Sequence, residues 1–112
     1  MSHDTITRYW QETDEDYVTP CYDVVEWANW LSGHDAVVAV TRLDSPDPDT
    51  SDHALVSTVF VGTQPDALAR PPRVYETITF VGHTVVSRKL SSSRHDALLV
   101  HDEQVDRVTR LQ

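Results

Sequence analysis

Apolar and polar positions alternate most clearly between Ser57 and Gly82, where two runs, each closed by Phe-Val-Gly, flank a polar loop that ends in Pro71-Pro72. His53 to Val61 and Arg73 to Val81 read as strands of an antiparallel sheet. Runs rich in β-branched and aromatic residues with period-two alternation fit a pleated surface covered on one side. In the second run Val74, Ile78 and Phe80 fall on one side, while Arg73, Tyr75, Thr77 and Thr79 line the other. Glu76 interrupts the apolar side. We expect that side to face the core and the polar side to face outward. Gly82-His83 has the form of a two-residue hairpin turn with glycine first, leading into a strand over Thr84 to Leu90. Upstream, Ala36 to Leu43 (AVVAVTRL) predicts a further strand.

Two segments carry the 3.6-residue period. Asp23 to Gly33 predicts a short helix: Asp23 can cap the first turn, Glu26 completes a capping box, and Val24, Trp27, Ala28 and Leu31 share one face. Trp30 falls beside that stripe. Gly33 is placed to end the helix in the left-handed conformation. Arg94 to about Arg110 predicts a longer helix, with Ser93 and Asp96 as its capping signature and Leu98, His101, Val105 and Val108 as its inward stripe. Arg107 and Arg110 in its last turns suit the helix dipole.

Residues 1–20 form an acidic lead in which Glu12, Asp14, Glu15 and Asp16 crowd between Trp10 and Tyr17; Tyr9 and Trp10 are placed to anchor it along the sheet, with partial disorder as the alternative. Residues 21–112 form a single α+β domain of order α-β-β-β-β-α, a four-stranded antiparallel meander with two helices. The segment DSPDPDTSD (44–52), with two prolines and four aspartates, predicts an exposed loop.

Charge narrows the range of partners. Eighteen Asp+Glu against nine Lys+Arg give a formal charge of −9 over 112 residues, with Lys89 the lone lysine. Direct binding to nucleic acid is disfavoured, because neutralising phosphates requires clustered cations. An acidic face can instead meet a basic protein or imitate a phosphate backbone. The single Cys21 excludes an internal disulfide framework. No apolar run approaches a membrane span and the start lacks the form of a secretion signal, so a soluble, intracellular protein is expected, with neither cofactor nor metal.

The candidate chemistry is sparse. His-Asp neighbours recur at His34-Asp35, Asp52-His53, His95-Asp96 and His101-Asp102, but no second histidine follows at a spacing that would share a helix face, and chance adjacency in an Asp-rich chain accounts for them. Ser57, the run Ser91-Ser92-Ser93 and Cys21 lack the context of a nucleophile. Arg70-Pro71-Pro72-Arg73 is the one local basic cluster. His101 on the inward stripe reads as a half-buried histidine bonded to the sheet, with a ligand or base role as the alternative. Glu76 must be paired, hydrogen-bonded or protonated if its strand face is covered; contact with a ligand, or an irregular strand that exposes it, are the alternatives. Pairing 81 with 84 sets 77 opposite 88, so Arg88 lies one step from Glu76.

Several of these residues also carry a resemblance. Glu26-Trp27-Ala28, Ser57 to Gly62, Pro71-Pro72, Val74 to Ile78, Phe80, Gly82, and Asp96-Ala97 with His101 resemble the pattern of a small protein family encoded by tailed viruses of high-GC hosts, notably actinobacteriophages. The likeness spans roughly residues 24 to 105. The family's Leu-Asp-His loop with its glycines is Thr63-Gln64-Pro65-Asp66 here, and Val100 stands in place of a glycine. The resemblance implies a viral origin and draws attention to Glu76, Thr77 and His101; it implies no activity. The expectation is a non-enzymatic accessory protein in the host cytoplasm that binds a host or viral protein through Arg73, Tyr75, Glu76, Thr77, Thr79 and His101, and that is open to homo-oligomer formation. An exposed surface there predicts that Tyr75→Ala with Arg73→Ala folds normally. The alternatives are a nucleotide-signal-binding anti-defence protein, with a pocket of Arg73, Glu76 and His101, or a minor neck or tail component of the virion.

Overall fold

The structure, a computed structural model, describes residues 9–13, 16–43, 53–63 and 71–111. The element order is β1 (Tyr9–Glu12), β2 (Val18–Cys21), α1 (Val24–Ser32), β3 (Val37–Leu43), β4 (Ala54–Phe60), β5 (Tyr75–Val81), β6 (Thr84–Ser91) and α2 (Arg94–Leu111). Strands β3-β4-β5-β6 form one antiparallel meander, and β1-β2 form a separate two-stranded hairpin. This is the α+β architecture expected from the sequence, with the hairpin added. The loop at 44–52, the segment at 64–66 and Arg70 lie outside the described residues. Among the described residues no helix is long and apolar enough to cross a membrane.

The local signals explain most boundaries. Asp23 caps α1, its Oδ1 accepting from the amides of Val25 at 2.9 Å and Glu26 at 3.2 Å. Ser93 caps α2, its Oγ accepting from the Asp96 amide. Gly82, at φ +61°, opens the β5–β6 turn and sets Val81 opposite Thr84, because an L side chain rarely adopts that backbone. Gly33 departs from expectation: it ends α1 at φ −99°, where its amide bonds to the Trp30 carbonyl and no left-handed residue is needed.

The hairpin β1-β2 was not legible in the acidic lead. Trp10 is buried, and its amide donates to the Gly62 carbonyl, which ties β1 to the end of β4. Gly62 sits at φ +77°, and a Cβ there would stand 2.9 Å from the Trp27 ring. The site therefore requires glycine both for its backbone and for the close approach of α1. The Trp27 indole nitrogen donates to the Trp10 carbonyl at 2.9 Å, and Tyr9 packs against the same ring. Helix α1 has no fully buried residue. It is held largely by its two tryptophans, Trp30 crossing Phe60 edge-on at 5.8 Å. Phe60 in turn meets Tyr75, so Trp10, Phe60, Val74, Tyr75 and Ala97 make an apolar core at one end of the sheet. Pairs of this kind each contribute about 0.5–1.5 kcal/mol beyond their buried area.

Helix α2 lies across all four strands of the meander, whereas α1 runs beside β1 and β2 and reaches β4 through Trp30 on Phe60. Burial in β4 and β5 alternates strictly: Ala54, Val56, Thr58, Phe60, Tyr75, Thr77 and Thr79 are buried, and the residues between them are half-buried. Helix α2 thus covers one face of the sheet, and no described element covers the other.

Candidate functional site

Val74, just ahead of β5, is buried and Arg73 exposed as expected, but within β5 the covered face is the reverse of the one that hydropathy selects. Thr77 and Thr79 are each 1 % exposed, as is Tyr75, so these three do not form an outward surface. Ile78 and Phe80, expected in the core, lie on the uncovered side. The cause is the composition of α2. Its inward stripe is Ala97, His101, Gln104 and Val108, all buried, while Leu98 is exposed and Val105 only half-buried. A helix that presents an imidazole and an amide needs hydroxyls opposite, and the threonine side of the sheet supplies them. Tyr75→Ala would therefore remove a packed ring, a change that typically costs about 3–5 kcal/mol, rather than leave folding untouched.

His101 is the centre of this buried polar layer. Its Nε2 lies 2.9 Å from Thr41 Oγ1 on β3, and its Nδ1 lies 2.8 Å from Thr58 Oγ1 on β4. Thr58 Oγ1 lies 2.8 Å from Thr77 Oγ1 on β5. A neutral imidazole donates at one nitrogen and accepts at the other, and rotating hydroxyls satisfy either arrangement. Burial pushes the imidazole below its ordinary value, opposed by the neighbouring Asp102. The Thr79 hydroxyl donates to Gln104 Oε1 at 3.2 Å. These contacts tie three strands to the helix and leave His101 2 % exposed; its surroundings are those of a structural residue.

A second polar knot joins the hairpin to the domain. Glu12 on β1 places Oε1 2.8 Å from His34 Nε2. Its Oε2 accepts from the Tyr75 hydroxyl at 2.6 Å and lies 3.6 Å from the Arg94 guanidinium. Burial, reinforced by the Glu12 hydrogen bond and charge, drives the Tyr75 phenol well above its ordinary value. Trp30 stacks on the His34 ring at 4.3 Å. Asp16, at φ +61°, turns its carboxylate onto the backbone amides of Arg94 and His95, so it caps α2 from a distant loop. A pocket of about 360 Å³ opens beside these groups. A carboxylate on an imidazole is the pairing that orients a general base, but both oxygens of Glu12 are engaged in tying elements together, and Thr13 beside it commits its hydroxyl to the Tyr17 carbonyl.

The uncovered face is the remaining surface with a definite character. Register places Arg42, Leu55 and Phe80 in one row across it, Val40, Ser57, Ile78 and Arg88 in the next, and Val59, Glu76 and Leu90 in a third. Val40 is 55 % exposed and the central-strand residues are half-open. Glu76 and Arg88 share this face because β6 carries a bulge between the partners of Thr79 and Phe80. One extra residue shifts Arg88 from opposite Thr77 to opposite Ile78, and a one-residue shift moves a side chain to the other face. The Arg88 Nε stands 3.9 Å from Glu76 Oε2. With Arg88 largely exposed, a pair of this kind is worth about 0–1 kcal/mol.

The sequence-nominated residues are therefore dispersed. Arg73 is exposed ahead of β5, Glu76 lies on the open face, and Tyr75, Thr77, Thr79 and His101 are buried on the opposite face. Arg73, Glu76 and His101 cannot line one pocket. Among the described residues no group of His, Cys, Asp and Glu is arranged to hold a metal ion. No protein-family model, curated protein or solved structure matches the chain.

Proposed function

We propose that this protein is a non-enzymatic binding module that docks a host or viral protein on the open face of its four-stranded sheet. The observation that carries the reading is the inverted sheet. Among the described elements, helix α2 covers the threonine side, and Leu55, Val59, Ile78 and Phe80 are half-open in the two central strands. Contiguous apolar surface of this kind marks interaction sites on monomeric domains. Among its described residues this face carries Arg42, Arg88 and Glu76, a balance that differs from the net charge of −9 of the whole chain.

The viral origin rests on the likeness of the STVFVG and PPRVYETITFVG segments to proteins of tailed phages, and it places the partner in an infected cell. The reading is tested by copurification from infected host cells with tagged wild type and with Ile78→Glu. A glutamate opposite Arg88 is tolerated by the fold, so the variant should keep its cooperative unfolding. It should lose a stoichiometric partner that the wild type retains. Retention of that partner by the folded variant removes the open face from consideration, and enrichment of capsid or tail proteins transfers the module to the virion.

A further inference from the structure

At its hairpin end the open face runs into a pocket of about 410 Å³. Leu55 and Phe80 form its apolar floor, and Arg42, His53 and His83 stand around it, with Gly82 at the rim. Arg42, Leu55 and Phe80 occupy consecutive strands of one cross-strand row. Neighbouring strands are about 4.8 Å apart, so Arg42 lies about 10 Å from Phe80, with Leu55 between them. His53 is fixed relative to the turn by its carbonyl, which accepts from the Gly82 amide at 2.7 Å.

Charge gives this pocket its chemistry. Arg42 is the guanidinium of its described lining, with the His53 and His83 rings beside it. Arg42 is exposed and has no ion pair among the described residues, and His83 stands exposed on the turn. The carboxylate of this face, Glu76, is next to Arg88 two rows away. A guanidinium beside an apolar floor favours an anion carried on an apolar body, because its planar fork donates two parallel hydrogen bonds to a carboxylate.

We infer that this pocket takes an acidic-apolar pair of side chains from the docked protein, the carboxylate meeting Arg42 and the apolar neighbour resting between Leu55 and Phe80. This rests on the docking reading given above and supplies the chemistry of its anchor. The continuity of the pocket with the open face favours a peptide segment, which crosses the face and ends here, over a free small molecule.

The experiment is a titration of the isotopically labelled full chain, read by amide NMR shifts, with acetyl-Asp-Phe-amide and acetyl-Asn-Phe-amide as probes. The acidic probe should shift the amides of Arg42, His53, Leu55, Phe80 and His83. The neutral probe should bind about tenfold more weakly, the share of one charge-assisted bond. In Arg42→Gln, an exposed substitution that leaves the spectrum folded, the two probes should bind alike. Equal binding of both probes to the wild type, or shifts confined to other surfaces, overturns the anionic anchor. If both are nevertheless lost together in Ile78→Glu, the docking reading stands without it. Binding of phenyl phosphate in clear preference to the acidic peptide overturns the peptide assignment and makes the occupant a small organic anion.

Discussion

His101 shows how a single side chain decides which way the sheet faces. Both its ring nitrogens are bonded to threonine hydroxyls on separate strands. Replacing it with leucine strands the Thr41 hydroxyl in a covered layer, at a cost of about 1–3 kcal/mol measured by urea unfolding. The imidazole also links stability to pH. Its folded value lies below 6.5, whereas the unfolded chain titrates near about 6.5. Above that value the ring is neutral in both states and its bonds contribute in full. As pH falls below it, the unfolded chain takes up a proton that the folded chain resists, so stability drops until pH passes the lower folded value. His101→Leu should flatten this part of the stability-pH curve; parallel curves for variant and wild type would contradict the assignment. Tyr75 offers a second residue-level test. Tyr75→Phe keeps the ring contact with Phe60 and removes the bond to Glu12. The expected loss is about 1.5–3 kcal/mol, and Glu12→Gln combined with it should add less than its own single effect.

At the scale of elements, the period-two and 3.6-residue patterns located the four strands of the meander and both helices, and the caps at Asp23 and Ser93 stand as read. The faces were not legible. Alternation in β5 distinguishes Thr77 and Thr79 from Ile78 and Phe80, but it does not say which set is covered. The rule that apolar residues face inward fails where the covering helix contributes His101 and Gln104. Leu98 was a misleading marker for the same reason, since its neighbour Ala97 permits the closer approach and is fully buried. The hairpin β1-β2 was hidden because its stability comes from distant contacts, Trp10 on Gly62 and Glu12 on Tyr75, which leave no local periodic signal. The bulge in β6 was equally invisible, and it alone brings Arg88 to the face of Glu76. Asp16 adds a long-range cap that spacing could not reveal. Asp16→Ala should weaken the first turn of α2 and cost about 0.5–2 kcal/mol, with faster amide exchange at Arg94 and His95 as the local sign. Gly62→Ala should be costlier than a loop glycine normally is, because it combines a left-handed backbone with a 2.9 Å contact to Trp27. At least about 1 kcal/mol is expected from the backbone alone.

For the whole molecule, the polar layer and the Glu12 knot tie the elements together, and the open face is where we propose that a partner docks. The two can be separated experimentally, since Ile78 and Phe80 are half-open and His101 and Tyr75 are not. Ile78→Glu should cost no more than about 1.5 kcal/mol, the lower bound for a fully buried side chain of this size, while abolishing association. The measurement that bears most directly on this division is photo-cross-linking in infected cells, with a benzophenone side chain placed at Ile78 or, as a control, at Tyr22, which is 69 % exposed on the segment between β2 and α1. One discrete protein adduct is expected from Ile78, abolished by Arg42→Gln with Phe80→Glu, and none of that mass from Tyr22. An adduct formed from Tyr22 with none from Ile78 would contradict it.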